Sequence, residues 1–261
     1  MDADTRRRLR GRFDEVAGSY AAGRPSYPEA AVDWLVGGRA VTDVLDLGAG
    51  GGALTRALAT RAARVVAAEP SRNLLVELRT VSPAISAVES AAERLPFLDA
   101  SFDAVTVATA FHWFDHDRAL PEIVRVLRPG GRLGLVWNTR EIGESWTREL
   151  GELLTSVQPP GLRGDWGTDS VRALDGSVSF SAPEYAEFRH TQRLDLAGLL
   201  NLVASRSYVV ALEPHVRSSL LSDVTALFDS NADPGGSVEM TYRCQCWRTL
   251  SVTTAQSPRQ H

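Results

Sequence analysis

Val44-Leu45-Asp46-Leu47-Gly48-Ala49-Gly50-Gly51-Gly52 is the stretch on which the reading of this chain turns. An apolar run of strand length, Val41 to Leu47, breaks into five residues of which four are glycine, and helix-forming residues resume from Ala53 to Arg61. Glycines at a strand-to-helix turn let the backbone take positive φ and approach a ligand closely. Open α/β sheets bind their ligands at the carboxyl ends of such strands.

Outward from this stretch, strands and helices alternate. Arg64 to Ala68 reads as a second strand, and Ser71 caps a helix from Arg72 to Thr80. Ile85 to Val88 and Phe102 to Ala108 read as the third and fourth strands. Asp117 to Leu127 reads as a helix stopped by Pro129-Gly130-Gly131, and Arg132 to Trp137 as a fifth strand. This rhythm with short turns predicts a doubly wound, mostly parallel sheet with helices on both faces, an α/β fold. Residues 1–40 read as a helical cap: Leu9, Phe13, Val16 and Tyr20 recur at helical spacing, and a second helix runs from Pro28 to the Gly37-Gly38 stop.

From Thr139 the rhythm changes. Helical stretches fall around Glu144–Ser156, Leu196–Ser205 and Val216–Phe228, between Gly/Pro-rich turns, and Val238 to Leu250 returns to a strand pattern. The expected organisation is a core of residues 1–138 and 237–252, with a helical lid insertion, 139–236, that carries substrate specificity.

Composition narrows the classes further. The chain has 261 residues, 44% hydrophobic and 23% charged, with a net charge of −4, ordinary for a globular protein. No apolar run approaches a membrane span, and the Arg-rich opening is unlike a signal peptide, so a cytoplasmic location is expected. All 28 basic residues are arginine, so chemistry that needs a lysine amine is excluded. The negative net charge argues against a nucleic-acid partner, and no membrane partner is expected. Cys244 and Cys246 are too few for a zinc site or a disulfide framework and read as reduced, half-buried strand residues, so no metal is expected.

The glycine loop admits two ligands. Gly48, Gly50 and Ala53 satisfy a dinucleotide fingerprint. Asp46, two residues before the first glycine, would repel a pyrophosphate but suits the amino end of S-adenosylmethionine. Glu69 ends the second strand, where an acid can take both ribose hydroxyls.

At this point the sequence resembles the class I S-adenosylmethionine-dependent methyltransferases, in particular the small-molecule branch that includes trans-aconitate methyltransferase-like enzymes. The resemblance covers about residues 9–140. It rests on Phe13-Asp14-Glu15-Val16-Ala17, Arg24-Pro25-Ser26-Tyr27-Pro28, the glycine loop, Glu69-Pro70-Ser71, Ala92-Glu93-Arg94-Leu95-Pro96-Phe97, His112-Trp113-Phe114-Asp115 and Arg125-Val126-Leu127-Arg128-Pro129-Gly130-Gly131. Weaker similarity continues at Ser205–Tyr208 and Tyr242–Arg248. The resemblance implies a seven-stranded Rossmann-like sheet and methyl transfer from S-adenosylmethionine to a small molecule by in-line displacement. It implies that Asp46, Gly48, Gly50 and Gly52 hold the methionine part of the cofactor and that Glu69 with Pro70 holds the ribose. Ala92 and Glu93 would flank the adenine, Ala108 would lie near the sulfonium, and Tyr20 and Arg24 would close over the cofactor.

Such a transfer needs mainly alignment, and a base only if the acceptor must lose a proton. His112, after the fourth strand, is the candidate base; the competing reading makes it a loop-positioning residue. Trp113, Asn138, Trp146, Arg206 and Tyr208 are candidates for substrate contact, against plain packing for each aromatic. The runners-up are a cofactor-binding relative that transfers no methyl, such as a cyclase or partner protein, and a nicotinamide oxidoreductase. Amino-methylation of nucleic acid is a further alternative, but Thr109-Ala110-Phe111-His112 lacks the Asn/Asp-Pro-Pro-aromatic motif it favours.

Overall fold

The computed structural model describes residues 24–37, 41–159 and 166–252. Helix α1 (Glu29–Val36) precedes β1 (Asp43–Leu47), α2 (Ala53–Leu58), β2 (Arg64–Glu69), α3 (Arg72–Val81), β3 (Ser86–Glu89) and β4 (Phe102–Ala108). A 3₁₀ turn, Phe111–Trp113, then leads to α4 (His116–Val126) and β5 (Leu127–Arg140). The second half holds α5 (Ser145–Val157), α6 (Trp166–Val171), β6 (Glu184–Leu194), α7 (Leu196–Ala204), α8 (Ser207–Val210), α9 (Pro214–Asn231) and β7 (Val238–Leu250).

The seven strands form one sheet in the order β3-β2-β1-β4-β5-β7-β6. β1 through β5 pair in parallel, and β7 runs antiparallel to both neighbours. The fold is the expected mostly parallel α/β sheet. The connection order reverses between β1 and β4, which opens a crevice at their carboxyl ends.

Alternation along the strands sorts the core onto two faces. Leu45, Val105, Leu133 and Leu135 pack with Ile123 of α4, Phe111 and Phe114 on one face. Val44, Ala104, Val136, Cys244 and Cys246 pack with Leu35 of α1 and Leu54 of α2 on the other. The two cysteines are free and wholly buried, deeper than the half-buried placement expected of them. α1 starts at Pro28 and ends at Gly37, whose φ of 80° is the left-handed conformation that glycine adopts at little cost.

Two expectations are corrected here. The 139–236 segment is not only helical, because β6 lies within it and completes the sheet at its edge. Pro129-Gly130-Gly131 does not separate α4 from its strand either. β5 begins at Leu127, directly after the helix, and absorbs the three residues as a register shift against β4.

A third cluster, Leu150 and Leu154 of α5, Leu199 and Val203 of α7, and Val224 and Phe228 of α9, packs on Val238, Met240 and Tyr242 at the start of β7. This helical layer sits at the end of the sheet that carries the crevice. At the opposite end, Arg128 joins Asp43 and Asp103. Burial opposes ionisation of Asp103, yet hydrogen bonds from Thr42, Asp43 and Arg128 together hold it below the usual carboxylate range. Among the described residues, no helix is long and apolar enough to cross a membrane.

Candidate active site

A cavity of about 130 Å³ opens at the crevice between β1 and β4. Among the described residues its walls are Gly48 to Gly51 with Ala53 and Leu54, Ala108 and Thr109 after β4, Asn138 of β5 and Tyr242 of β7. Arg24, Pro25 and Tyr27 close it from the amino-terminal side, and Leu202 and Arg206 from the helical layer. Of the residues expected at the site, Arg24, Gly48, Gly50, Ala108, Asn138 and Arg206 therefore line the same cavity.

The loop is held open by its acids. Gly48, Gly50 and Gly52 all have positive φ, at 70°, 55° and 82°. A Cβ on Gly48 would stand 2.5 Å from Cβ of Ala110, so no larger residue fits there. Glu69 accepts from the Gly50 N–H with one oxygen and from the Ser71 N–H with the other, each at 2.9 Å. Those two bonds fix the glycine turn against the end of β2.

Asp46 departs from its expected place. It is fully buried beneath the loop, where it accepts from Thr55 Oγ1 at 2.5 Å and Thr106 Oγ1 at 3.3 Å. It is not on the cavity wall, so it anchors α2 and β4 to β1 and acts on the loop from below. Burial pushes its pKa up to about 7 against these hydrogen bonds, with the charge of Glu69 adding to the rise. Gly52 likewise stands off the wall, as the N-cap of α2 packed on Leu78.

Several other expectations are corrected by packing. His112 lies on the 3₁₀ turn with its ring 4.6 Å from that of Trp113, and neither lines the cavity. Phe111 and Phe114, on either side of them, are buried in the core, and Trp113 is half-buried against it. Trp146 is buried in the helical layer, its indole N–H donating to Glu144, and Tyr208 is buried in the same layer. Ala92 is a core residue, and Glu93 accepts from the Asp115 N–H. Pro70, Ala92 and Glu93 do not line the cavity. Tyr20 lies outside the described residues.

Three residues at or beside the site, Thr109, His190 and Tyr242, escape a reading by sequence. Thr109 takes φ of +53°, a strained conformation for a β-branched residue, directly at the cavity. Asn138 donates from Nδ2 to Ser26 O and accepts at Oδ1 from His190 Nε2, both at 3.0 Å. His190 in turn stacks on Tyr242, ring centroids 5.4 Å apart, and burial lowers its pKa, which keeps it neutral. Tyr242 donates to Met240 Sδ, and burial raises its pKa to about 12. Alternation of Ala186, Phe188, His190 and Leu194 was the available signal for β6 and His190; the positive φ of Thr109 leaves no mark in sequence.

Residues 45–135 match the family model described as a methyltransferase domain. An uncharacterized methyltransferase of Mycobacterium tuberculosis is 44% identical over 223 residues, 85% of this chain and 88% of that protein. The chain belongs to the class I methyltransferase family. An uncharacterized methyltransferase-like protein of Schizosaccharomyces pombe is 29% identical over 254 residues, 94% of this chain and 96% of its own length. Among solved structures, that of a putative type II methyltransferase from Anaeromyxobacter dehalogenans superposes with a TM-score of 0.68 at 25% identity, covering 86% of this chain and 97% of that one. The similarity thus extends through the helical layer and the last strands, beyond the stretch matched by the domain model.

Proposed function

We propose that this protein transfers a methyl group from S-adenosylmethionine to a small-molecule acceptor. The observation that carries the reading is the glycine turn at the β1/β4 crevice, tied to Glu69 through Gly50 and open to the cavity. The turn fits this cofactor: the wall at Gly48 is bare backbone, and Glu69, an acid at the end of β2, stands against the turn through the Gly50 N–H. S-adenosylmethionine, when bound, supplies an activated sulfonium methyl group.

The chain's own residues contribute alignment. Gly48 to Gly51 present backbone to the amino-acid end of the cofactor, with Arg24 facing them across the cavity. Ala108 and Thr109 form the floor between the loop and Asn138, so an acceptor on the Asn138 side would face the methyl group in line. Asn138 itself is fixed at both ends by Ser26 and His190, which leaves it one conformation. The net charge of −4 and the narrow cavity favour a small acceptor over nucleic acid.

Calorimetry tests the assignment. S-adenosylmethionine and S-adenosylhomocysteine are expected to bind in the micromolar range, NAD not at all, and Glu69→Ala to weaken binding by about 1.5–3 kcal/mol. Binding of NAD as tight as that of S-adenosylmethionine would overturn the reading. A metabolite panel with labelled methyl donor then identifies the acceptor.

A further inference from the structure

Among the described residues, Arg140 and Arg206 carry buried guanidinium nitrogens that meet no acceptor. Nε and Nη1 of Arg140 and Nε of Arg206 are shut off from solvent and hydrogen bond to nothing. Buried polar groups are almost always partnered, and those that are not call for an explanation. Among the described residues, the acids that follow Arg140 in the chain are engaged elsewhere: Glu141 pairs with Arg189, and Glu144 accepts from Trp146. Tyr242, which stands opposite Arg140 in the sheet register, keeps its proton at neutral pH and cannot neutralise either guanidinium.

The two arginines are also a pair. Arg206 lines the cavity, and burial together with the nearby charge of Arg206 lowers the pKa of Arg140 to about 10, which leaves Arg140 charged at neutral pH. Arg140 is two residues beyond Asn138 on β5, hence on the same face of the sheet as that wall residue. Two like charges held together under a helical layer are what an oxyanion would bridge, through charge-assisted bonds to planar donors.

We propose that Arg140 and Arg206 form a binding subsite for an anionic group, a carboxylate or a phosphate, carried by the methyl acceptor. The inference rests on the cavity being the site of methyl transfer. The anion is a handle and not the methylated atom. Its lone pairs are engaged by guanidinium donors, from Arg206, the N-cap of α8 on the cavity lining, and from Arg140 at the end of β5. The acceptor is accordingly a molecule with one anionic group and a separate nucleophilic atom. Arg24 stands beside the pair, its Nη2 donating to the carbonyl of Ser205 at 3.5 Å.

The test uses the whole protein saturated with S-adenosylhomocysteine and follows the arginine Nε–H signals by ¹⁵N NMR. Succinate, inorganic phosphate and the neutral isostere succinamide are titrated separately. The expected result is a saturable millimolar shift of the Arg140 and Arg206 signals with at least one anion and none with succinamide; the tighter anion identifies the group. Arg140→Gln and Arg206→Gln should each weaken that binding tenfold or more, keep S-adenosylhomocysteine affinity within threefold, and raise the melting temperature of the ligand-free protein. Wild-type signals that do not move, or that move equally with succinamide, would overturn the proposal without recourse to any variant. So would a tenfold loss of S-adenosylhomocysteine affinity in the variants, because the pair would then hold the cofactor's own carboxylate. Failure of wild type to bind S-adenosylhomocysteine overturns instead the cofactor reading beneath it.

Discussion

Asp46→Asn should remove most of the pH dependence of stability between pH 5 and 8. Asp46 is fully buried and its pKa is raised from 3.8 in the unfolded chain to about 7, chiefly by burial. Between those values the folded state holds a proton that the unfolded state has released. Stability therefore falls as pH rises, since the carboxyl must ionise inside the protein. From pH 5 to pH 8 the loss works out at about 2.5 kcal/mol, from ~1.36 kcal/mol per pKa unit over the part of the shift that titrates there. Asp103 and Glu122 run the other way, because their pKa values are depressed. Their stabilisation is present above their unfolded values and is lost only as pH falls into the acid range below about 4.5. His190, whose pKa burial lowers, also opposes Asp46 by making stability rise with pH up to about 6.5. Comparing the variant with wild type cancels these other groups. Asparagine is close in shape to the protonated acid, and the hydroxyls of Thr55 and Thr106 can donate to it or accept from it. Urea unfolding followed by tryptophan fluorescence at pH 5, 6, 7 and 8 should show the stability of the variant relative to wild type growing by about 2.5 kcal/mol from pH 5 to pH 8. Parallel pH profiles for the two proteins would show that Asp46 is ionised throughout and would refute the argument.

Two further outcomes follow from the site. His112→Ala should leave cofactor affinity unchanged and lower the methylation rate less than about tenfold, because His112 is off the cavity wall; a loss of ~10²-fold or more would reinstate it as a general base. Gly48→Ala should cost about 2 kcal/mol or more in urea unfolding and abolish S-adenosylhomocysteine binding, since φ of +70° and the contact with Ala110 both reject a side chain; wild-type affinity in that variant would refute the close backbone approach.

The parallel half of the sheet was legible because each of its elements carries its own signal. Strands buried on both faces read as apolar runs, glycine turns mark their ends, and Ser71 caps α3 through the Leu74 N–H as its position foretold. β6 was not legible. Glu184, Glu187, Arg189 and Arg193 alternate with half-buried residues on this edge strand, so its hydrophobic contrast is weak and only pairing with β7 makes it a strand. The site divides in the same way. Gly48, Gly50, Glu69 and Ala108 follow from their places at strand ends, which the local sequence determines by itself. Whether Asp46 faces the cavity or lies beneath it, whether His112 turns toward it or away, and how Arg140 meets Arg206 depend on contacts between segments remote in the chain. Burial and charge proximity belong to those contacts, so only the tertiary structure decided them.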